Sequence, residues 1–415
     1  METKWPLLAT NLRRLGGVLL AAAAGTFLVQ GWLGGDSMQR YFTFAGFTAV
    51  LIAAALLTGI RLQDTKGARV YVAVTLGALP ALMAQLGAIL LALVSGPMES
   101  VPLAFRFQAA PSLAVTAAGA VGGVLLWLGS RFGLRVLSSS HLHSLLKVFI
   151  FGNLLLLVPT RDPEAIAVLM SVQVVWLTFL NLRSLTDLTT SEGILARVTV
   201  AFPCLLLGVR NASFYPNTPL FYAAMFGAAW LVMFVWSRAL LRESIAEKFQ
   251  ACSIFPALIS FAYAAEAFGV DDRFAIPAIG VPFAGFLLAS SFSAVGSGRG
   301  YRKLASFIAV ASCGHYLLHV GGTSASLLSL LTGAVLVATA SAIQERNVLA
   351  AGMVLSAVGM LYHLRFAITL YSLSPWLSLA VAGIVVVMLS TVVERYHRTL
   401  VRLHGSASAA LKNWS

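Results

Sequence analysis

Apolar runs of about 20 residues recur along almost the whole chain, and most of the charge falls in the short connections between them. An α-helix needs about 20 apolar residues to cross the hydrocarbon core of a bilayer. Repetition of such runs leaves little sequence for folded domains outside the membrane. The pattern therefore predicts an all-α, polytopic transmembrane helix bundle.

Composition excludes the main alternative, a soluble globular protein. Hydrophobic residues make up 59% of the chain, charged residues make up only 10%, and the mean hydropathy is +0.87. Ordinary soluble domains carry about a quarter charged residues. We therefore assign residues 1–393 to a single transmembrane helical domain and residues 394–415 to a basic cytoplasmic tail. Any function must then lie among the helices or in short loops.

The runs divide into about fourteen candidate spans, with boundaries good to about 2 to 4 residues. The first run follows basic residues, as in a secretory signal. Because it is long enough to cross and further spans follow, we interpret it as an uncleaved first helix. The candidate spans are 15–34, 41–60, 71–94, 112–129, 144–158, 163–180, 195–209, 219–237, 250–268, 274–294, 301–320, 324–343, 347–371 and 375–393.

The positions of lysine and arginine predict the orientation of these spans. Basic residues accumulate in the cytoplasmic loops of membrane proteins. With the N-terminus inside, nearly all of the 28 Lys and Arg fall in inner segments or in the C-terminal tail. The exceptions are Arg365 within a span and the outer-loop residues Arg40, Arg106, Arg161, Arg210 and Arg273. A wrong span count would scramble this alternation, so we expect both termini to be cytoplasmic.

The same distribution explains the net charge of +13. Inner basic loops contact anionic lipid headgroups, whereas a nucleic-acid-binding protein would need a basic face with base-stacking aromatic residues. We therefore expect the lipid bilayer as the surroundings, no nucleic-acid partner, and a location in the bacterial cytoplasmic (inner) membrane. A small-molecule or lipid substrate fits this setting, and the sequence indicates no particular protein partner.

Polar side chains inside apolar runs are costly, and by default they mark a functional site. The residues that we expect to line a candidate substrate cavity in the outer half of the membrane are Arg365, His363, Glu266, Gln85 and Asn153. Arg365 would attract an anionic group and would be offset by Glu266 if it faced the cavity. If its long stem instead reached the headgroups, it would need no partner.

His315 and His319 form a second candidate, because residues four apart face the same side of a helix. Two imidazoles could hold a metal or a haem iron with the help of a third group. No acidic residue accompanies them as in H-E-x-x-H, and a helix-packing role is the alternative. The sequence requires no cofactor, and this pair is where it allows a metal or haem.

Helix breakers mark one further candidate. The predicted span 274–294 carries Pro277, Gly280, Pro282 and Gly285. We interpret this group as a broken helix, a device common at transporter binding sites, with a simple kink as the alternative.

Two classes of function remain. A transporter or flippase with an outward-facing polar cavity for an anionic or lipid-linked substrate is favoured by many spans, short loops and polar groups in the outer half. A non-transporting membrane subunit, or a membrane-embedded enzyme acting on a lipid-linked substrate, is favoured by the lack of a visible repeat. Phosphate-loop and dinucleotide motifs are absent, and enzymatic activity is neither predicted nor excluded.

Overall fold

The structure is a computed structural model, and it describes residues 4–30, 36–96, 106–183 and 190–373 together with the single positions 379, 384 and 387. Within these residues the regular structure is helical and no strand occurs. The prediction of an all-α chain is therefore confirmed.

The helices follow one another with short connections. They are α1 Lys4–Gln30, α2 Ser37–Leu56, α3 Thr65–Ser95, α4 Ser112–Leu137, α5 Leu142–Leu155, α6 Pro163–Arg183, α7 Ser191–Phe214, α8 Pro219–Leu231, α9 Ser237–Leu240, α10 Glu243–Ala267, α11 Asp272–Ser291, α12 Arg299–His319, α13 Gly322–Ile343 and α14 Arg346–Leu373. A π-helical turn, Leu57–Arg61, extends α2, and another, Val232–Trp236, joins α8 to α9.

Among the described residues, eight helical segments are long and apolar enough to cross a membrane. They are Ser37–Arg61, Thr65–Ser95, Ser112–Leu137, Pro163–Arg183, Ser191–Phe214, Pro219–Trp236, Asp272–Ser291 and Gly322–Ile343. These segments support the prediction of a multi-pass membrane protein. The count of about fourteen spans and the cytoplasmic termini stay predictions. The predicted span 375–393 lies almost wholly outside the described residues, and the tail 394–415 lies entirely outside them.

Helix α7 is longer than the predicted span 195–209, and this corrects the placement of Arg210. Thr190 caps its start by accepting a hydrogen bond from the Gly193 amide at 3.2 Å, and the helix continues to Phe214. Arg210, which the sequence pattern assigns to an outer loop, therefore lies inside α7 and is buried, as is Arg197 near the start of the helix. A hydropathy run stops at the first charge, whereas a helix continues to its cap.

The prediction of a broken helix at 274–294 is wrong, because α11 is continuous from Asp272 to Ser291 with Pro277 and Pro282 inside it. Gly280 instead allows α11 to pack closely against α12. A β-carbon added there would lie 1.8 Å from Ser312 Oγ of α12, so the missing side chain lets the two helices approach closely.

Neither π-helical turn was predicted from the sequence. The turn at Val232–Trp236 shifts the helical hydrogen-bond pattern and makes the carbonyl of Phe234 available to side chains. That carbonyl accepts hydrogen bonds from Gln250 Nε2 of α10 at 2.9 Å and from Ser237 Oγ at 3.1 Å. The Gln250 contact, which spans 16 positions, links this turn to α10.

The chain divides into two compact units, residues 1–264 and residues 265–415. In the first, α3 lies at the centre and packs against α1, α2, α4, α5 and α7. Tyr41 Oη of α2 donates a buried hydrogen bond to the Ala118 carbonyl of α4 at 2.8 Å. The assignment of residues 1–393 to one domain stays a prediction beside this division.

The second unit contains helices α11 to α14. Near the start of α12, Arg302 Nη1 donates to Glu345 Oε2 at 3.0 Å, and Arg302 Nε donates to Ser291 Oγ at 3.2 Å. Glu345 lies in the turn between α13 and α14 and is 1% exposed. A buried acid held by an arginine thus joins the end of α11, the start of α12 and the α13–α14 turn.

Candidate functional site

Gln173 is a buried polar residue in the middle of a membrane-length helix. It is the middle residue of α6, ten positions from either end, which is about 15 Å of helix on each side. Its exposed fraction is 0%. In the described part of the chain, neither its side-chain nitrogen nor its oxygen has a hydrogen-bond partner. A leucine would fill this position without that cost, so the amide requires an explanation.

Three helices meet at this amide. A β-carbon added at Gly152 of α5 would lie 2.1 Å from Gln173 Nε2 and 3.0 Å from Cβ of Pro203 in α7. Pro203 has no N–H, so it removes the helical hydrogen bond to the carbonyl of Thr199. A polar side chain and an interrupted backbone ladder therefore lie together in the interior of unit 1.

Asn153, a predicted cavity residue, is the neighbour of Gly152 and is fully buried. Its Nδ2 donates to the Phe149 carbonyl at 2.8 Å within α5. Its Oδ1 has no hydrogen-bond partner among the described residues. The structure therefore places Asn153 in the buried polar interior of unit 1.

Gln85, the other predicted cavity residue of unit 1, is 3% exposed on α3, and both of its amide atoms lack partners in the described chain. It lies two residues before Gly87, where a β-carbon would meet the Leu156 carbonyl oxygen at 2.0 Å. Asn153 lies three residues before Leu156. Both amides therefore lie within one helical turn of the α3–α5 contact.

Arg161, in the connection between α5 and α6, folds back over this contact and is 7% exposed. Its Nη2 donates to the Gly87 carbonyl at 3.4 Å, and its Nη1 donates to the carbonyls of Val158, at 3.2 Å, and Thr160. Its guanidinium lies 5.5 Å from the centre of the Tyr215 ring. The Nε atom is buried without a hydrogen-bond partner in the described residues.

Arg210, in the last turns of α7, approaches the same contact from the other side and is 9% exposed. Its Nη1 donates to the Leu156 carbonyl at 3.4 Å. Its Nε and Nη2 are buried and have no hydrogen-bond partner in the described chain. These two atoms form one edge of the guanidinium, the edge that binds oxyanions in a bidentate manner.

Arg161 and Arg210 donate to the carbonyls of Gly87 and Leu156, which lie at the same close helix contact, so the two guanidiniums are neighbours of like charge. Among the described residues, no carboxylate forms an ion pair with either. The nearest acid in sequence, Asp162, is exposed and accepts a hydrogen bond from the Ala165 amide at 2.9 Å, which caps α6. Two buried cations without a compensating acid form a region suited to an anion.

The predicted residues of unit 2 have different surroundings. His363 is half-buried, and its Nδ1 lies 2.8 Å from Ser326 Oγ of α13. Arg365 and Glu266 are both exposed. The proposed cavity role of these three residues, and an ion pair between Arg365 and Glu266, stay predictions.

His315 and His319 stack with ring centres 4.1 Å apart and an interplanar angle of 14°. His319 Nδ1 lies 3.2 Å from the His315 carbonyl oxygen. In the part of the chain that the structure describes, no group of three His, Cys, Asp or Glu side chains could hold a metal. The metal or haem interpretation therefore gains no third ligand and stays a prediction.

Sequence reasoning selected Gln85 and Asn153 as candidates but did not select Gln173, Arg161 or Arg210, which the structure places in the same candidate region. One signal was present for Arg210. The first helix-breaking residue after it is Pro216, and helices usually end at or before the residue that precedes a proline, so α7 could be extended past Arg210. No local sequence signal predicts that Arg161 lies near Arg210, because its contact with Gly87 joins residues that are 74 positions apart.

Comparisons of the chain with family models, curated proteins and solved structures found no match.

Proposed function

We propose that this multi-pass membrane protein is a transporter or flippase for a substrate that carries an anionic group, with the substrate path through the interior of unit 1. One observation carries this proposal. The side chains of Gln85, Asn153 and Gln173, on three packed helices, are buried with polar atoms that have no partner among the described residues.

The free-energy cost of burying these amides without partners favours a substrate path over an interior that only packs helices together. Each buried polar group that is left unsatisfied costs about 1–3 kcal/mol. In membrane proteins such residues typically face a water-filled cavity or a substrate route. Water and a polar substrate would both satisfy the amides, whereas a core that only holds helices together is better filled by apolar side chains.

The anionic character of the substrate is inferred from Arg161 and Arg210. Both lie at the end of unit 1 towards which α5 and α7 run, and neither forms an ion pair with a described carboxylate. A substrate with a negative group would be attracted to this end and would then meet the amides deeper in the unit.

Cysteine accessibility tests the proposal without knowledge of the substrate. In a chain with Cys204, Cys252 and Cys313 replaced by alanine, we expect Asn153→Cys and Gln173→Cys to react with a small charged thiol reagent, because a substrate path contains water. Labelling is followed by mass spectrometry on protein in sealed membranes.

Neighbouring positions provide matched controls. Leu154 and Val172 are 49% and 50% exposed on the same two helices, where they face the surroundings of unit 1. In lipid a thiol does not ionise, so Leu154→Cys and Val172→Cys should stay unlabelled. If Asn153→Cys and Gln173→Cys are as unreactive as these controls, the interior is dry. That result would favour a non-transporting subunit or an enzyme.

A further inference from the structure

We propose that Arg161 and Arg210 together form a binding site for a phosphate group, contributed either by a lipid headgroup or by a free phosphate. This inference names the ligand class of the region described above and rests on the proposed function for its role in transport. Binding itself can be measured without transport.

The geometry of Arg210 favours an oxyanion. Its Nη1 is used by the Leu156 carbonyl, whereas Nε and Nη2 stay available, buried, and on one edge of the planar group. That edge presents two parallel N–H groups, which match two oxygens of a carboxylate or phosphate. The backbone contact through Nη1 restrains the guanidinium, so little side-chain freedom is lost on binding.

The second arginine favours phosphate over carboxylate. A carboxylate carries one charge and two oxygens, which a single guanidinium can match. Arg161 adds a second positive charge and a buried Nε–H without a partner in the described chain. A phosphate monoester has nearly two negative charges near neutral pH and three terminal oxygens, so it can accept from both arginines at once.

The contacts around the pair fix both groups in place before any ligand arrives. Arg161 stacks over Tyr215 and reaches the Gly87 carbonyl, while Arg210 reaches the Leu156 carbonyl beside it. Carbonyl contacts orient the two guanidiniums but do not neutralise them. A phosphate would remove their mutual repulsion, and this is the physical reason to expect that it binds.

The test uses the full chain, purified in a maltoside detergent in phosphate-free buffer. Isothermal titration calorimetry measures the binding of inorganic phosphate, of acetate, of dioctanoyl phosphatidic acid and of dioctanoylglycerol, which lacks the phosphate group. We expect at least one phosphate probe to bind and dioctanoylglycerol not to bind. Binding of inorganic phosphate indicates that free phosphate suffices, whereas binding of phosphatidic acid alone assigns the group to a lipid headgroup.

Substitutions assign the binding to these side chains. Arg161→Gln and Arg210→Gln should each weaken it by about 10-fold or more, because each removes a charge-assisted hydrogen bond. Arg210→Lys keeps the charge but loses the planar guanidinium with its two parallel N–H groups, so it should also weaken phosphate binding. Arg183→Gln is the control, because Arg183 lies exposed at the far end of α6 with its guanidinium 4.6 Å from the Phe179 ring centre.

Three results would overturn the site: no binding of either phosphate probe to the native chain, binding that all of these variants retain, or acetate binding as tightly as phosphate. The native titration decides the first and third even if a glutamine variant does not fold. Phosphate binding together with an unlabelled interior would leave the site standing and reject transport. A labelled interior without phosphate binding would reject the phosphate site and leave the transport proposal standing.

Discussion

At the scale of single residues, Gly87 allows the close contact of α3 and α5 at which the two arginines bind their carbonyl partners. A β-carbon there would lie 2.0 Å from the Leu156 carbonyl oxygen, which is backbone and cannot rotate away. We predict that Gly87→Ala forces α3 and α5 apart and destabilises the protein by about 1–3 kcal/mol, as overpacking of a close contact does. The thermal unfolding midpoint in detergent measures this effect.

Gly77 on the same helix is the matched control, because a β-carbon there would meet nothing within 4 Å. Gly77→Ala should be neutral or stabilising by up to about 1 kcal/mol, since alanine favours a helix more than glycine does. Equal effects of the two substitutions would contradict the close contact at Gly87.

At the scale of elements, the start of α3 depends on a carboxylate. Asp64 caps α3 by accepting a hydrogen bond from the Gly67 amide at 3.1 Å, and it also accepts one from Arg13 Nη2 of α1 at 3.0 Å. The Gly67 amide, and then the charge of Arg13, lower the pKa of Asp64 below its ordinary value. A lowered pKa means that the folded state favours the charged form.

The direction of this pKa shift predicts a pH dependence. The stabilisation from Asp64 should be complete above the unfolded pKa of about 3.9 and should be lost as the pH falls through the lower folded pKa. We predict that Asp64→Ala lowers the thermal midpoint slightly between pH 5 and 8, and that the difference from the native chain disappears in more acidic buffer. A difference that grows on acidification would contradict the cap.

At the scale of the whole molecule, the predicted topology assigns each helix a direction across the membrane. In unit 1, Arg69 near the start of α3 pairs with Glu192 at the start of α7. Arg210 lies 18 residues further along α7 than Glu192, which is about 27 Å of helix. The Arg69–Glu192 pair shows that α3 and α7 begin at the same end of unit 1, as the predicted third and seventh spans require, and the arginine site lies towards the other end of α7.

This arrangement supports a test of the predicted orientation. In the chain without native cysteines, Lys66→Cys and Lys303→Cys, in the first turns of α3 and α12 on the predicted inner side, should be shielded from an impermeant thiol reagent in intact cells. Ser112→Cys and Asp272→Cys, at exposed helix starts on the predicted outer side, should react. A fluorescent protein fused after residue 415 should fluoresce, because fourteen spans return the C-terminus to the cytoplasm.

Reverse labelling at all four positions would reject the orientation. Correct labelling at Lys66 and Ser112 but reversal at Lys303 and Asp272 would place an error in the span count between Ser112 and Asp272. A dark C-terminal fusion with correct loops would show that the predicted span 375–393 does not cross.

The sequence by itself determined the helical structure and the apolar segments suited to a membrane, whereas the side of the membrane that the charges favour stays a prediction. These are properties of single segments: an apolar run must avoid water, and its backbone must then bond within a helix. The same reasoning found Gln85 and Asn153, because a polar residue in an apolar run is visible without knowledge of its neighbours. It misjudged Gly280 and placed Arg210 in a loop, since it ended helices at charges and read glycines as breaks.

Only the tertiary structure decided which polar groups meet. Arg161 reaches Gly87 across 74 positions, and Arg210 reaches Leu156 across 54. Such contacts depend on which helix faces pack together, and small residues such as Gly87 and Gly280 control that packing by allowing close approach. A pattern of apolar and charged residues indicates where each segment lies relative to lipid. It does not indicate which other helix packs against its buried face.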